Sequence, residues 1–342
     1  FRKMKEGKVT NNYNDQLYNF LKKYYNYNRD VFLTNSGRDA LYYLLLNLNF
    51  NKKEIIIPSY SCLGLIEPIL QLNFKPHFID IDECLNPSLE SLKKAINDNT
   101  AAVIIPHLGG TFAKDTLKII SLCKKKKIVV IEDCCQSFGL KINNKQVGTF
   151  ADFSFFSTGV GKPVFTPLGG WVLTKKGFFK KFMQPTSNIK STINDEYKNY
   201  KKFVKRYSDN PFQVFIHRAT DKINSYFDGS KRSLSMKELK EPGHIFNNLN
   251  AYIILDQLKL IEQKLIKRKR IAFKWNRILR NNKKVQVIAA TNSIYNKFYV
   301  CSEKNEKKRF LLKGWEVENG YTPLHLRYDF DKFESEDLKI TN

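Results

Sequence analysis

The sequence predicts an α/β protein: a large domain with a mostly parallel, seven-stranded sheet between helices, followed by a small α+β C-terminal domain. Three observations carry this. Short β-rich runs alternate with helical patterns from residue 30 to 175. Several of those runs are apolar throughout, as strands covered on both faces must be. Beyond residue 176 the alternation gives way to Lys-rich sequence and then to a long helical pattern.

Taken in order, strands are expected at Val31–Thr34, Glu54–Pro58, Pro76–Ile81, Ala102–Pro106, Ile128–Glu132, Phe153–Phe156 and Gly170–Thr174. Helices are expected between them at Asp39–Asn47, Leu63–Leu72, Ser88–Ile96 and Lys114–Lys125. Residues 1–175 thus form the large domain, and 176–246 a connecting segment of helices and loops. Residues 247–342 form the small domain. It opens with one long helix from Asn247 to about Arg280, on which Leu255, Leu258, Ile261 and Leu265 recur at spacings of three and four. VQVIAA and YNKFYVC follow as strands, then a helix near Lys307–Lys313, Trp315–Val317 and a polar tail.

At 342 residues and 40.0 kDa the chain has room for about two domains. Hydrophobic residues at 42% and aromatics at 13% supply a large core and exclude general disorder. No apolar run approaches the ~20 residues that cross a bilayer. The N-terminal FRKMKEGKVTNNYNDQ has no apolar signal-peptide region, so a soluble cytoplasmic protein is expected. Lys+Arg 58 against Asp+Glu 33 gives a net charge of +25. The basic residues are mostly Lys, scattered among many Asn, Ile and Tyr. That is background composition, so neither nucleic acid nor membrane is the expected partner, and the positive field favours an anionic small substrate. The six cysteines, at 62, 84, 123, 134, 135 and 301, form no CxxC pair; reduced, buried thiols and no metal site are expected.

Three features fall at or just after the C-terminal ends of strands, where open α/β sheets bind ligands. Thr34-Asn35-Ser36-Gly37-Arg38 turns from a strand into a helix, whose N-terminus suits a phosphate. Taken alone, Ser36 could be only an N-cap. IVVIEDCCQSFG ends a buried strand in Glu132-Asp133, followed by Gln136. An acid there could cap a loop, ligate a metal or pair with a cationic ring nitrogen. In DFSFFSTGVGKPVFTPLGGWVLT, Lys162 lies in a Gly- and Pro-rich turn, where a desolvated amine becomes a nucleophile for a Schiff base. The plain alternative is a surface lysine.

A phosphate cradle, a strand-end carboxylate and a downstream lysine are together the parts that pyridoxal 5'-phosphate requires. Their order and spacing resemble the DegT/StrS family of nucleotide-sugar aminotransferases, of fold type I. The likeness runs from about Leu33 to Thr174 and resumes near Asn247–Arg270 and Tyr321–Leu326. It includes Pro58-Ser59-Tyr60, FKPHFIDID, PHLGG with His107, and the spacing of Asp152, Phe156, Ser157, Lys162 and Gly169-Gly170.

The resemblance implies that Lys162 carries the cofactor and shuttles the proton, and that Asp133 pairs with the pyridine nitrogen. It implies that Gln136 bonds near the phenolic oxygen, and that Gly37, Arg38 and Ser157 hold the phosphate. His107 is implied to lie beside the ring as a catalytic residue. Cys62 stands where the family has a stacking aromatic, and Gly243-His244 where it has an Asn that reaches the partner's phosphate. The resemblance also implies a homodimer with composite sites, in which His244 either crosses over or else only caps the helix start. The expected reaction transfers an amino group, from glutamate by resemblance, to a nucleotide-linked keto-sugar. The alternatives are a sugar dehydratase using the same cofactor, which in the family commonly has His in place of the lysine, and a non-catalytic regulator or scaffold.

Overall fold

The computed structural model describes residues 12–26, 28–159, 161–178, 246, 248–288 and 290–302. The seven expected strands all form and enter one sheet. They are β1 (Arg29–Thr34), β2 (Glu54–Pro58), β3 (Lys75–Ile79), β4 (Thr100–Pro106) and β5 (Val129–Asp133), then, after a small hairpin of β6 (Lys141–Ile142) and β7 (Lys145–Gln146), β8 (Phe153–Ser157) and β9 (Gly170–Lys175). The order across the sheet is β1-β9-β8-β5-β4-β2-β3. Only β9 runs against its neighbours; β2–β3, β2–β4, β4–β5 and β5–β8 pair in parallel.

Alternation along the strands sorts side chains between two helical layers. Ala102, Ile104, Ile131, Phe155 and Val172 face α2 (Gly37–Asn47) and α3 (Ile66–Gln71). Val103, Ile105 and Val130 face α4 (Leu89–Ala95) and α5 (Thr116–Lys125). On that second face, Phe156, Trp171 and Leu173 pack against α1 (Tyr13–Tyr24), α6 (Asn248–Leu258) and α7 (Ile261–Leu279).

The differences from expectation have local causes. Helix α1 is an addition to the expected elements: Leu17 and Leu21 are buried and Phe20 packs beside them, among Tyr, Asn and Lys. Asn12 caps its N-terminus, its Oδ1 accepting Asp15 N–H at 3.3 Å, and Asn248 of α6 adds a second closure, its Oδ1 accepting the N–H groups of Tyr13 (2.6 Å) and Asn14 (3.2 Å). Residues 63–72 are a 3₁₀ turn at Leu63–Leu65 leading into α3 rather than one helix. The single long helix expected from Asn247 to Arg280 is two helices, broken where Leu260 N–H bonds to Gln257 C=O at 3.2 Å. Leu258, Ile261 and Leu265 all stay in the core across the break, so the three-and-four spacing persists and periodicity does not register it.

The C-terminal strands are shorter than expected: β10 (Val285–Val287) pairs antiparallel with β11 (Val300–Ser302). Before β11 the backbone turns at Asn292 and Tyr295, with φ of 52° and 51°. Its hydrogen bonds go instead to the loop after β4: Phe112 N–H to Asn292 C=O (3.0 Å), Ile294 N–H to Gly110 C=O (2.9 Å) and Lys297 N–H to Gly109 C=O (3.1 Å). Residues 292–299 are thus strapped onto residues 107–112. The thiols are not uniformly buried as expected: Cys123 and Cys134 are buried, Cys62, Cys84 and Cys135 half-buried, and Cys301 exposed; all six are free. Most of the connecting segment, with Gly243 and His244, lies outside the described residues. So do Lys307–Lys313, Trp315–Val317 and Tyr321–Leu326. Among the described residues no helix is long and apolar enough to cross a membrane.

Candidate active site

The pairing register brings several strand ends to one level. Pro106 stands opposite Asp133, Ser157 opposite Gly170, and Gly170 opposite Thr34. The C-terminal ends of β1, β4, β5 and β8 therefore share one edge of the sheet, as ligand sites in open α/β folds require.

At this edge Ser36 caps α2, its Oγ accepting Asp39 N–H at 3.1 Å. A Cβ on Gly37 would lie 2.8 Å from Ser157 Cβ and 3.0 Å from Cys135 Sγ, so the bare first turn of α2 sits directly against those two residues. The close approach depends on Gly170 as well, whose Cβ would meet Phe156 O at 2.6 Å and the Ser36 carbonyl at 2.7 Å, both backbone. Free N–H groups, the positive end of the helix dipole and the Ser157 hydroxyl form a cradle for an anion. The Arg38 side chain turns away to pair with Glu67, leaving its backbone N–H as what it offers here.

Asp133 is buried at the end of β5, and its Oδ1 accepts Cys135 N–H at 2.9 Å. The backbone C=O of Asp133 accepts His107 N–H at 3.1 Å. Gln136 Oε1 accepts Gly109 N–H at 3.0 Å, which fixes the direction of that amide. His107 has both ring nitrogens engaged by the protein. Nδ1 accepts Ala113 N–H at 3.2 Å, which leaves the proton on Nε2 to be donated to Glu132 at 3.1 Å. Glu132 also accepts Gly148 N–H (3.0 Å) and Ala151 N–H (2.7 Å). His107, Glu132 and Cys134 bring ligand atoms within 4.8 Å of one another, but the imidazole lone pair is already occupied by Ala113.

Lys162 follows β8, its N–H bonded to Gly159 C=O at 3.2 Å. The Cys135 thiol reports its surroundings: burial pushes it well above the usual thiol range, the Asp133 carboxylate adds to this, and the Lys162 ammonium pulls the other way. Asp133, Lys162 and the Cys62 thiol all lie within electrostatic reach of Cys135. Tyr299 arrives from the strap, with its ring where a Cβ on Gly109 would stand (2.6 Å). Burial raises its hydroxyl well above the tyrosine range, with Tyr60 and Cys62 as neighbours. The structure thus brings together Gly37, Ser157, Asp133, Cys62 and Lys162, while His244 falls outside the described residues. Sequence reasoning missed Cys135 and Tyr299. Cys135 was findable from its place two residues after Asp133; Tyr299 has no local signature.

The sequence profile of the DegT/DnrJ/EryC1/StrS aminotransferase family matches residues 2–319. The chain belongs to this family. Among curated DegT/StrS relatives, the GDP-perosamine synthase of Vibrio cholerae is 31% identical over 170 residues, or 49% of this chain and 45% of the relative. The match thus spans less than half of that relative's length. Helicobacter pylori PseC, an aminotransferase involved in the biosynthesis of pseudoaminic acid, superposes with a TM-score of 0.68 at 20% identity, over 95% of this chain and 80% of that one. The E. coli GDP-4-keto-6-deoxy-D-mannose-3-dehydratase with bound hydrated PLP gives 0.67 at 20% identity, over 96% and 83%. These structural likenesses show the fold, that of PLP-dependent aminotransferases.

Proposed function

We propose that this DegT/StrS protein is a pyridoxal-phosphate-dependent aminotransferase that moves an amino group, from glutamate, onto a nucleotide-linked keto-sugar. The observation that carries it is the meeting of Gly37, Ser157, Asp133 and Lys162 at one sheet edge, three of them around the Cys135 thiol. These residues fit the cofactor: the surface that a Cβ on Gly37 would fill is an anion cradle, and a buried carboxylate stands beyond it. When bound, pyridoxal phosphate supplies the electron sink for the pair left by a broken carbon–hydrogen bond.

The chain supplies the rest. The N–H groups of Gly37 and Arg38 and the Ser157 hydroxyl hold the phosphate. The Asp133 carboxylate stabilises a proton on the ring nitrogen. Gln136, oriented by Gly109 N–H, bonds beside the phenolic oxygen. Lys162 Nζ would hold the cofactor covalently and would carry the proton as general base and acid, worth ~10²–10⁴-fold. His107, with both nitrogens committed, positions the loop of residues 107–112 beside the ring. Lysine at 162 favours amino transfer over the dehydration reading.

Phe165 and Leu168 on the lysine loop are 38% and 45% exposed, which supports a homodimer that covers them. Six free thiols support a cytoplasmic location. Borohydride reduction of the cofactor-loaded protein should fix the label on Lys162 in peptide maps. A label on another lysine overturns the assignment, and a protein with no visible absorbance band is the regulator or scaffold instead.

A further inference from the structure

The loop that carries Lys162 is built from soft backbone, yet it is held at two points by side chains distant in sequence. At its base Thr166 N–H donates to Thr158 C=O at 2.6 Å, and the two threonine hydroxyls meet at 2.7 Å. Between them lie Gly159 and Gly161, the latter at φ 77°, a stretch that pays a large entropic cost to stay in one conformation.

The first hold is Gln257 on α6. Its Oε1 accepts Phe165 N–H at 3.2 Å and its Nε2 donates to Phe165 C=O at 2.8 Å. The amide thus pairs with both polar groups of one residue, as a neighbouring strand would, fixing position and orientation together. The second hold is Asn296 on the strap. Its Nδ2 donates to Gly161 C=O at 3.0 Å, while its Oδ1 accepts Arg268 Nη1 from α7 at 2.6 Å. Arg268 is itself partly buried, which lowers the pKa of its guanidinium. Both holds stand on fixed supports. Asn248 ties α6 to α1, and the strap is bonded to Gly109 and Gly110.

We infer that Gln257 and Asn296 are positioning residues for Lys162. Clamping Phe165 and Gly161, three residues after the lysine and one before it, they fix its Cα and leave only side-chain torsions to bring Nζ to its target. This rests on the proposed amino-transfer reading. A displacement of about 1 Å at such a group can cost ~10²-fold in rate, which sets the expected scale.

The test uses full-length Gln257→Ala, Gln257→Glu and Asn296→Ala proteins, each without and with pyridoxal phosphate. Without cofactor, amide hydrogen exchange over residues 159–168 should rise in both alanine variants and leave β8 unchanged. With cofactor, both should still be labelled at Lys162 by borohydride. Conversion of the visible band by glutamate should slow about 10–100-fold, with KM for glutamate within about twofold of wild type if the defect lies in lysine placement. Gln257→Glu separates clamp from packing. Its carboxylate can still accept Phe165 N–H but faces the Phe165 carbonyl, and protonation restores the missing donor. Its conversion rate relative to wild type should therefore recover as pH falls, while that of Gln257→Ala does not. Wild-type exchange and conversion in both alanine variants overturns the clamp. An unlabelled Lys162 in the wild type overturns the proposed function instead, and hydrogen exchange still decides the clamp.

Discussion

His107 donates its Nε2 proton to Glu132 in a fully buried contact of 3.1 Å, and Glu132 accepts two backbone N–H groups of the 148–151 turn as well. One carboxylate therefore joins the loop after β4 to the turn before β8, with β5 between them. Glu132→Gln sets an amide N–H₂ against at least one of these three donors. The variant should lose about 2–3 kcal/mol of stability, read as a lower urea midpoint. Its Lys162 should remain competent for borohydride labelling.

Asp133→Asn should keep cofactor uptake at Lys162 and lose turnover by about 10²–10³-fold, because a neutral amide stabilises a protonated ring nitrogen poorly. Stopped-flow absorbance of the glutamate half-reaction measures it. Wild-type turnover would mean that another group holds the ring nitrogen.

Gly170→Ala should cost about 1–3 kcal/mol, because the new Cβ meets backbone on two sides, at Phe156 and Ser36. Relief of that clash moves the Ser36 turn away from Ser157, so the Kd for pyridoxal phosphate should rise alongside the fall in Tm. Differential scanning fluorimetry and a cofactor titration check the two effects together.

Alkaline pH should destabilise the fold. Burial pushes the Cys123 thiol up to about 11, and raises the Cys134 and Cys135 thiols and the Tyr25 hydroxyl. A thiol whose folded pKa exceeds its unfolded value contributes stability that is full below the unfolded pKa and is lost as pH rises to the folded one. For Cys123 that window runs from about pH 9 to about 11 and is worth roughly 2–3 kcal/mol. Urea midpoints measured in reductant across the window should fall with pH, and fall less steeply in Cys123→Ala.

Sedimentation at micromolar concentration should give a mass near twice that of the chain. Leu168→Glu, placed on the exposed apolar part of the lysine loop, should shift the protein towards monomer and weaken cofactor binding with it. A stable monomer that binds the cofactor tightly would refute a shared site.

The elements and groups legible in the sequence are those whose signal is local. The strands of the sheet show as apolar runs because both faces are covered. Gly37, Asp133, Ser157 and Lys162 could be named because each stands in a short motif at a strand end. The break at Leu260 carries no Gly or Pro and leaves the apolar spacing intact, so periodicity continues through it. The helix Tyr13–Tyr24 has a local cap in Asn12, but its first two N–H groups are met by Asn248, far along the chain. Gln257, Asn296 and Tyr299 reach the site only through tertiary packing, and an amide or a phenol gives no hint of which distant loop it will face.

The lone reversed strand sets a timetable for the growing chain. β1 is made first among the seven strands, yet its sole neighbour in the sheet is β9, the last of them. At ~5–20 residues per second, β1 waits roughly 7–30 s on the ribosome for its partner. Throughout that interval the Ser36 carbonyl lacks its close contact with Gly170, and the borders of β1 and β8 stand open to wrong pairing. At the proposed site, pyridoxal phosphate therefore has no complete seat in any nascent chain that stops short of Gly170. Cofactor loading belongs after β9 has closed the gap, and the interval before it is when protection from aggregation matters most.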